Sequence, residues 1–202
     1  MIIPQLSFYD VAPDICAFST TRHGGYSVGN FGEFNINEYC GDDVEAINKN
    51  RSLLAEELGI PASNIIMPHQ THGIESRHIA HDFLSLPDNV QKMILDGVDA
   101  VMTNVKEVCI GVSTADCIPV LLYDPVHKAI CAVHAGWRGT VSRIVMKAVT
   151  EMRLVYGSSV SDLCAFIAPG ISLEAFEVGN EVYEEFANAN FDMEGISKQM
   201  RV

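Results

Sequence analysis

Between residues 118 and 133 the chain runs apolar, breaks, and runs apolar again. Residues 118–123 and 129–133 are short, uncharged and rich in Ile, Val and Leu, and Asp124-Pro125 separates them, so they read as two buried strands joined by a turn. An antiparallel hairpin lays the start of its first strand beside the end of its second. Cys117, entering one strand, and His134, leaving the other, therefore become neighbours although they lie 17 positions apart.

A thiol beside an imidazole is two soft ligands in search of a third. MPHQTHG, residues 67–73, offers His69 and His72 in a loop bounded by Pro68 and Gly73, the kind of segment that carries functional groups on a rigid scaffold. Two histidines and one cysteine leave the fourth tetrahedral position open to water or substrate, which is the arrangement of a catalytic zinc. Taken singly, Cys117 is an ordinary buried cysteine and His134 an ordinary core histidine. Their joint placement, beside Asp116 on one side and Gly136, Trp137 and Arg138 on the other, carries the metal reading.

The rest of the chain reads as strands and helices in mixed order. Residues 2–8 and 15–20 are expected strands, and the Gly- and Asn-rich stretch after them is either a binding loop or a run of tight turns. A helix is expected over residues 43–58, with Asp42 or Asp43 as N-cap and Gly59 as its stop. Val44, Ile47, Leu54, Ala55 and Leu58 form its apolar stripe, and Arg51 falls in the same stripe. A guanidinium there binds an anion such as phosphate, pairs with an acid from elsewhere in the chain, or snorkels to the helix edge. Residues 75–92 read as surface strand and loop, Asp96 and Asp99 as turn chemistry, and residues 108–113 as a buried strand.

A second helix is expected over residues 141–156, with the stripe Val141, Ile144, Val145, Ala148, Val149, Met152 and Val155 and Gly157 as its stop. Arg138 at its approach is either an anion ligand helped by free helix N–H groups or a charge stacked on Trp137. A last strand at residues 163–167 leads into helical segments ending near residue 189. The expected fold is α+β: mixed β-sheets forming a layered core flanked by helices, in a single domain over residues 1–202.

Composition narrows the partners. At 48% hydrophobic and 19% charged residues the chain is globular, and a formal charge of −13 excludes a general nucleic-acid or anionic-membrane surface. Any anionic ligand must be held locally. The six cysteines (16, 40, 109, 117, 131 and 164) are dispersed without a C-x-x-C pair, and residues 1–10 lack the basic and long apolar parts of a signal peptide. Reduced thiols and a cytoplasmic protein are expected. No stretch approaches the roughly 18 apolar residues of a membrane helix, and nothing fixes an oligomeric state.

Seven segments together resemble a known family: FSTTRHGGYSVGNFGEFNIN (residues 18–37), GDDVEAINKNRSLL (41–54), HQTHG (69–73), DGVDAVMTN (96–104), TADCIPVLLYD (114–124), VHAGWRG (133–139) and IAPGISLEAFEVGNEV (167–182). The family is the bacterial laccase-domain proteins, also called polyphenol oxidases, purine nucleoside phosphorylases or peptidoglycan-editing factors. The resemblance implies that the metal is held by His72, Cys117 and His134, and it is this that selects His72 over His69. It also implies that Arg22 and Asn35 line the site and that Asp99 faces the pocket; Arg51 and Arg138, from their places on and before the helices, are further substrate-binding candidates. A second Thr precedes Arg22, a departure from the family's loop. Family members continue for several dozen residues to a Cys-Thr and a Phe-Phe-Ser-Tyr-Arg segment, so the domain is expected to lack that C-terminal part.

The function implied by the resemblance is phosphorolysis of adenosine, inosine, guanosine and methylthioadenosine, together with deamination of adenosine, so the partners are a purine nucleoside and phosphate. Water activated at the metal's open position would attack C6 of adenine, while phosphate would need Arg22, Arg51 or Arg138 as a clamp. Asp99 and Asp116 are the candidate proton donors. Copper is the alternative metal, because a His₂Cys set also describes a blue-copper centre. A multicopper oxidase, however, consumes more histidines than the seven present. Two further readings stand: a thiol hydrolase that edits peptidoglycan precursors, and a non-enzymatic zinc module, in which the metal would be closed by four protein ligands.

Overall fold

In the computed structural model, residues 3–199 are described; Ile2, where the first expected strand begins, lies outside them. β1 (Leu6–Tyr9) and β2 (Ala17–Thr20) pair antiparallel, with Leu6 opposite Thr20. α1 (Val44–Leu58) forms where its caps predict: the Asp43 carboxylate accepts from the Glu45 and Ala46 N–H groups, and Gly59 ends the helix at φ 67°.

The buried face of α1 is Ala46, Ile47, Asn50, Leu54 and Ala55. Val44, expected in that stripe, is 69% exposed. The face is turned toward Asn50, which is fully buried and donates from Nδ2 to Ser27 Oγ and to the carbonyls of Glu33 and Asn35, while its Oδ1 accepts from the Tyr26 N–H. One amide thus pins the Gly-rich loop onto the helix. Such a buried polar group is stable only because every partner is supplied.

β3 (Ile65–Ile66) follows, then β4 (Glu75–His78), α2 (Asp88–Ile94) and β5 (Val98–Thr103). The segment expected as surface strand and loop therefore contains both a sheet strand and a helix. The acidic turn is also more than a turn: all six residues of β5 are buried. A strand covered on both faces needs a near-continuous apolar run, and residues 98–103 supply one apart from Asp99 and Thr103. The strand expected over residues 108–113 shrinks to β6 (Cys109–Ile110), which pairs parallel with β3.

β7 (Ile118–Asp124) and β8 (Ala129–Ala135) form the expected hairpin, with Pro119 opposite His134 and Ile118 opposite Ala135. The chain then enters α3 (Trp137–Val141) and α4 (Ile144–Tyr156). The sequence reading has one helix here. Arg143, in the left-handed conformation at φ 61°, separates the two. Ile144, Ala148 and Met152 are buried as the stripe requires, whereas Val155 is 42% exposed at the far end. β9 (Cys164–Ile167), α5 (Asn180–Asn188) and α6 (Met193–Ile196) complete the chain.

The main sheet has the order β4-β5-β8-β7-β9, parallel between β4 and β5 and antiparallel elsewhere. Alternation along β8 sends Cys131 and Val133 into one core with Ile144, Ala148 and Met152 of α4, and Ala132 into a second with Ile66, Phe83 and Val101. His134 has the parity of Ala132, so it points away from α4. This is the mixed α+β architecture expected from the sequence. Among the described residues no helix is long and apolar enough to cross a membrane.

Candidate metal centre

The β7–β8 register is what brings the first two ligands together. Continuing it one step past Ile118 and Ala135 sets Cys117 opposite Gly136, with His134 on the diagonal. His72 arrives from the loop after Gln70. The ligand atoms of His72, Cys117 and His134 lie within 4.8 Å of one another, and among the described residues no other group of three His, Cys, Asp or Glu side chains is so placed. The rings of His72 and His134 meet edge to face with centroids 4.9 Å apart. His134 is 3% exposed, Cys117 is half-buried and His72 is exposed, so the cluster opens on one side.

Two glycines of VHAGWRG make room for this. A Cβ at Gly136 would lie 3.1 Å from Cys117 Sγ, 3.2 Å from His72 Cδ2 and 3.7 Å from His134 Cε1. One at Gly139 would lie 3.1 Å from the Gly73 carbonyl oxygen, so its absence lets the His72 loop close onto the start of α3. The HQTHG loop is held on its other side by Gln70, which donates from Nε2 to the Ser113 carbonyl at 2.8 Å and accepts from the Ser113 N–H at 2.6 Å. A thiolate and two imidazoles with a cleared space between them suit a borderline-soft cation such as zinc.

His69 goes elsewhere. Its Nδ1 lies 2.6 Å from Asp96 Oδ1 and its ring stacks on Tyr39 at 4.5 Å. His78 meets Tyr156 edge-on and His127 pairs with Asp124.

Asp99 occupies a different place from the one the resemblance implies. It is fully buried, does not line the open groove, and lies beside His134 because β5 and β8 pair with Ala100 opposite Val133. Its Oδ1 lies 2.7 Å from His134 Nδ1 and accepts from the His72 N–H at 3.0 Å, while Oδ2 accepts from Gly73 at 2.7 Å and Thr71 at 3.3 Å. Burial alone would push this carboxyl up; the hydrogen bonds from His134, Gly73 and Thr71 outweigh it and hold Asp99 below the usual carboxylate range. Cys117 moves the other way. Burial, reinforced by the negative charges of Asp116 and Asp99, pushes its thiol up. Nucleophilic cysteines sit in electropositive surroundings, which these are not.

The remaining candidates separate into two sets. Arg22, Asn35 and Asp116 line the groove that also holds His72, Cys117 and His134, whereas Arg51 and Arg138 do not. Arg22 is exposed and donates from Nε and Nη2 to the Gly32 carbonyl at 2.9 and 2.7 Å. Asn35 donates to Cys40 Sγ and to Asp42 Oδ2 and accepts from the Asn37 N–H, so its amide organises the loop. Arg51 has internal partners, the Ile65 carbonyl and Glu38 Oε1 at 3.5 Å, the ion pair left open by the sequence. Arg138 is exposed with its guanidinium 4.2 Å from the Trp137 ring centroid.

Sequence reasoning missed Asn50 and Gln70 as loop anchors. The one available signal was Asn50's place, one helical turn from both Ala46 and Leu54 on α1.

Residues 16–201 match the family described as multi-copper polyphenol oxidoreductase laccase. A purine nucleoside phosphorylase of Bacteroides thetaiotaomicron is 45% identical over 184 residues, covering 91% of this chain and 68% of that protein. Adenosine deaminase RL5, from an unknown prokaryotic organism, is 38% identical over 194 residues, covering 96% of this chain and 74% of its own length. Among solved structures, the Bacillus licheniformis hypothetical protein YfiH superposes with a TM-score of 0.78 at 26% identity, covering 89% of this chain and 67% of that one. With the match spanning nearly all of the chain, this protein belongs to the multi-copper polyphenol oxidoreductase laccase family.

Proposed function

We propose that this chain is a zinc-dependent enzyme of purine nucleosides, which cleaves adenosine, inosine, guanosine and methylthioadenosine with phosphate and deaminates adenosine. The observation that carries this reading is the open three-donor cluster of His72, Cys117 and His134 in a groove that also presents Arg22 and Asp116. Relatives named purine nucleoside phosphorylase and adenosine deaminase support an enzyme of this kind. His72, Cys117 and His134 would hold the zinc, which would supply Lewis acidity there.

The chain's own residues do the rest. His134 is held with Nδ1 toward Asp99, which leaves Nε2 as its ligand atom. Arg22, fixed through Gly32, presents its remaining Nη1 as an anion ligand for phosphate. Phosphorolysis breaks the bond between purine and ribose and forms a ribose–phosphate bond, and the departing purine takes up a proton. Asp116, exposed in the groove beside Cys117, is the carboxylate we assign to pass that proton on from solvent water, because Asp99 is buried with both oxygens already accepting. Deamination exchanges the C6 amino group of adenosine for oxygen from water and releases ammonia.

The multicopper oxidase reading lacks its ligands. Among the described residues no second group of three His, Cys, Asp or Glu donors stands near His72, Cys117 and His134, and His69 and His127 are paired with Asp96 and Asp124. Product analysis tests the proposal. Adenine and ribose 1-phosphate should form from adenosine in proportion to added phosphate, inosine and ammonia should form without it, and both should vanish in Cys117→Ala. Elemental analysis should find about one zinc per chain. Zinc-loaded protein that leaves nucleosides untouched while oxidising a phenol, or cleaving an amide-linked cell-wall precursor, would overturn the assignment.

A further inference from the structure

The four hydrogen bonds to Asp99 converge from two separate parts of the centre. Three come from consecutive N–H groups of the loop that carries His72, at Thr71, His72 and Gly73, and the fourth from the ring of His134 on β8. A carboxylate has about four lone-pair sites, and here all are taken. Asp99 has no acceptor capacity left for substrate. What it can do is fix the groups that donate to it.

Each donor gains something different. His72 has φ 61°, a conformation that a residue with a side chain adopts only when its surroundings impose it. Three N–H groups pointing at one anion form a nest, and the buried charge of Asp99 supplies the anion. On the other side, Asp99 accepts a proton-bearing Nδ1 from His134 and so selects the tautomer whose Nε2 lone pair is free. The same side chain therefore shapes the loop that delivers one ligand and sets the tautomer of another.

We propose that Asp99 is the positioning residue that assembles the centre, ordering His72 and His134 together so that the site forms as a unit rather than ligand by ligand. The proposal rests on the reading of His72, Cys117 and His134 as a metal site. It makes Asp99→Asn more damaging than its small change in volume suggests. An amide has one accepting oxygen and one donating nitrogen. With its oxygen toward Thr71 and Gly73, its NH₂ faces His134, which must turn Nδ1 into an acceptor and place the proton on Nε2, the ligand atom. With its oxygen toward His134, its NH₂ faces the N–H groups of Thr71 and Gly73, and the loop loses its nest. Either orientation disables one ligand.

The experiment combines nitrogen-15 NMR of the metal-free protein with zinc competition titration. In the wild type, His134 should be the Nδ1–H tautomer, and the amide protons of Thr71 and Gly73 should exchange slowly with solvent. In Asp99→Asn, either the tautomer should reverse or those two amides should lose protection, and zinc affinity should fall about 10- to 100-fold. Asp99→Glu, which keeps both acceptor oxygens, should recover part of that loss. A wild-type His134 carrying its proton on Nε2 would overturn the proposal, and this measurement holds even if the variants fail to fold. Unchanged zinc affinity in a folded Asp99→Asn would overturn it equally. If the wild type takes up no zinc while the tautomer and amide results are as expected, the metal reading fails and the role of Asp99 in ordering the two histidines stands.

Discussion

Gly136→Ala should weaken metal binding while leaving the metal-free fold nearly as stable as before. Gly136 has φ −69° and ψ 168°, which alanine adopts without strain, so no backbone argument forbids the substitution. Restricting the unfolded chain gives alanine an advantage of roughly 0.4–1 kcal/mol, offset in part because glycine is the better residue at the start of a helix. The new methyl group, however, would sit 3.1 Å from Cys117 Sγ and 3.2 Å from His72 Cδ2. Ordinary contacts between such atoms are about 3.5–4.0 Å, so both ligands must yield by a few tenths of an ångström. Overpacking of this kind costs about 1–3 kcal/mol. The strain falls on two of the three ligands at once, and at 1.4 kcal/mol per tenfold it weakens zinc binding by about 5- to 100-fold. Competition titration with a chromophoric chelator measures the affinity, and thermal unfolding of the metal-free protein measures the fold. Wild-type affinity in the variant would refute the reasoning. So would a metal-free variant destabilised by several kcal/mol, since the strain would then belong to the scaffold.

Three further outcomes are expected. Asp124 is fully buried and accepts from the Val126 N–H, the His127 N–H and the His127 ring; burial pushes its carboxyl up, but these bonds and the Ser158 hydroxyl beside it prevail and lower it from the usual 3.8 to about 2. The folded protein thus favours the ionised form, and the resulting stability of about 2 kcal/mol is complete above roughly pH 4 and lost as pH falls toward 2; denaturant titrations should show the gap between wild type and Asp124→Asn closing over that window. Arg51→Ala, which strips the Ile65 carbonyl and Glu38 of a partner, should lower stability by about 1–3 kcal/mol, and added phosphate should raise the melting temperature of variant and wild type equally. Asn50→Ala removes four hydrogen bonds from a buried position, so limited proteolysis should cut within residues 22–37 well before the wild type is cut there.

Local chemistry was enough to specify much of this protein. The hairpin of β7 and β8, the pairing of Cys117 with His134 at its open end, and the capped span of α1 all follow from periodicity, turn residues and caps within about twenty positions of one another. Those signals are local because hydrogen bonds in hairpins and helices are local. The mixed α+β class follows from the order in which such elements occur. Tertiary structure decided the rest. Whether residues 98–103 were a turn or a buried strand depended on finding β4 and β8 on either side, and with that pairing Asp99 changed from a turn acid into the buried partner of His134. Arg51's partners, Glu38 and the Ile65 carbonyl, are groups that helix periodicity does not locate. The residue that reaches Cys117 and His134 is His72 and not His69, because Asp96 and Tyr39 hold His69 aside and Asp99 turns the loop through the left-handed conformation at His72. Each of these depends on which distant groups share a buried space. Satisfying polar atoms there is a property of the assembled fold, and no single segment of the chain carries it.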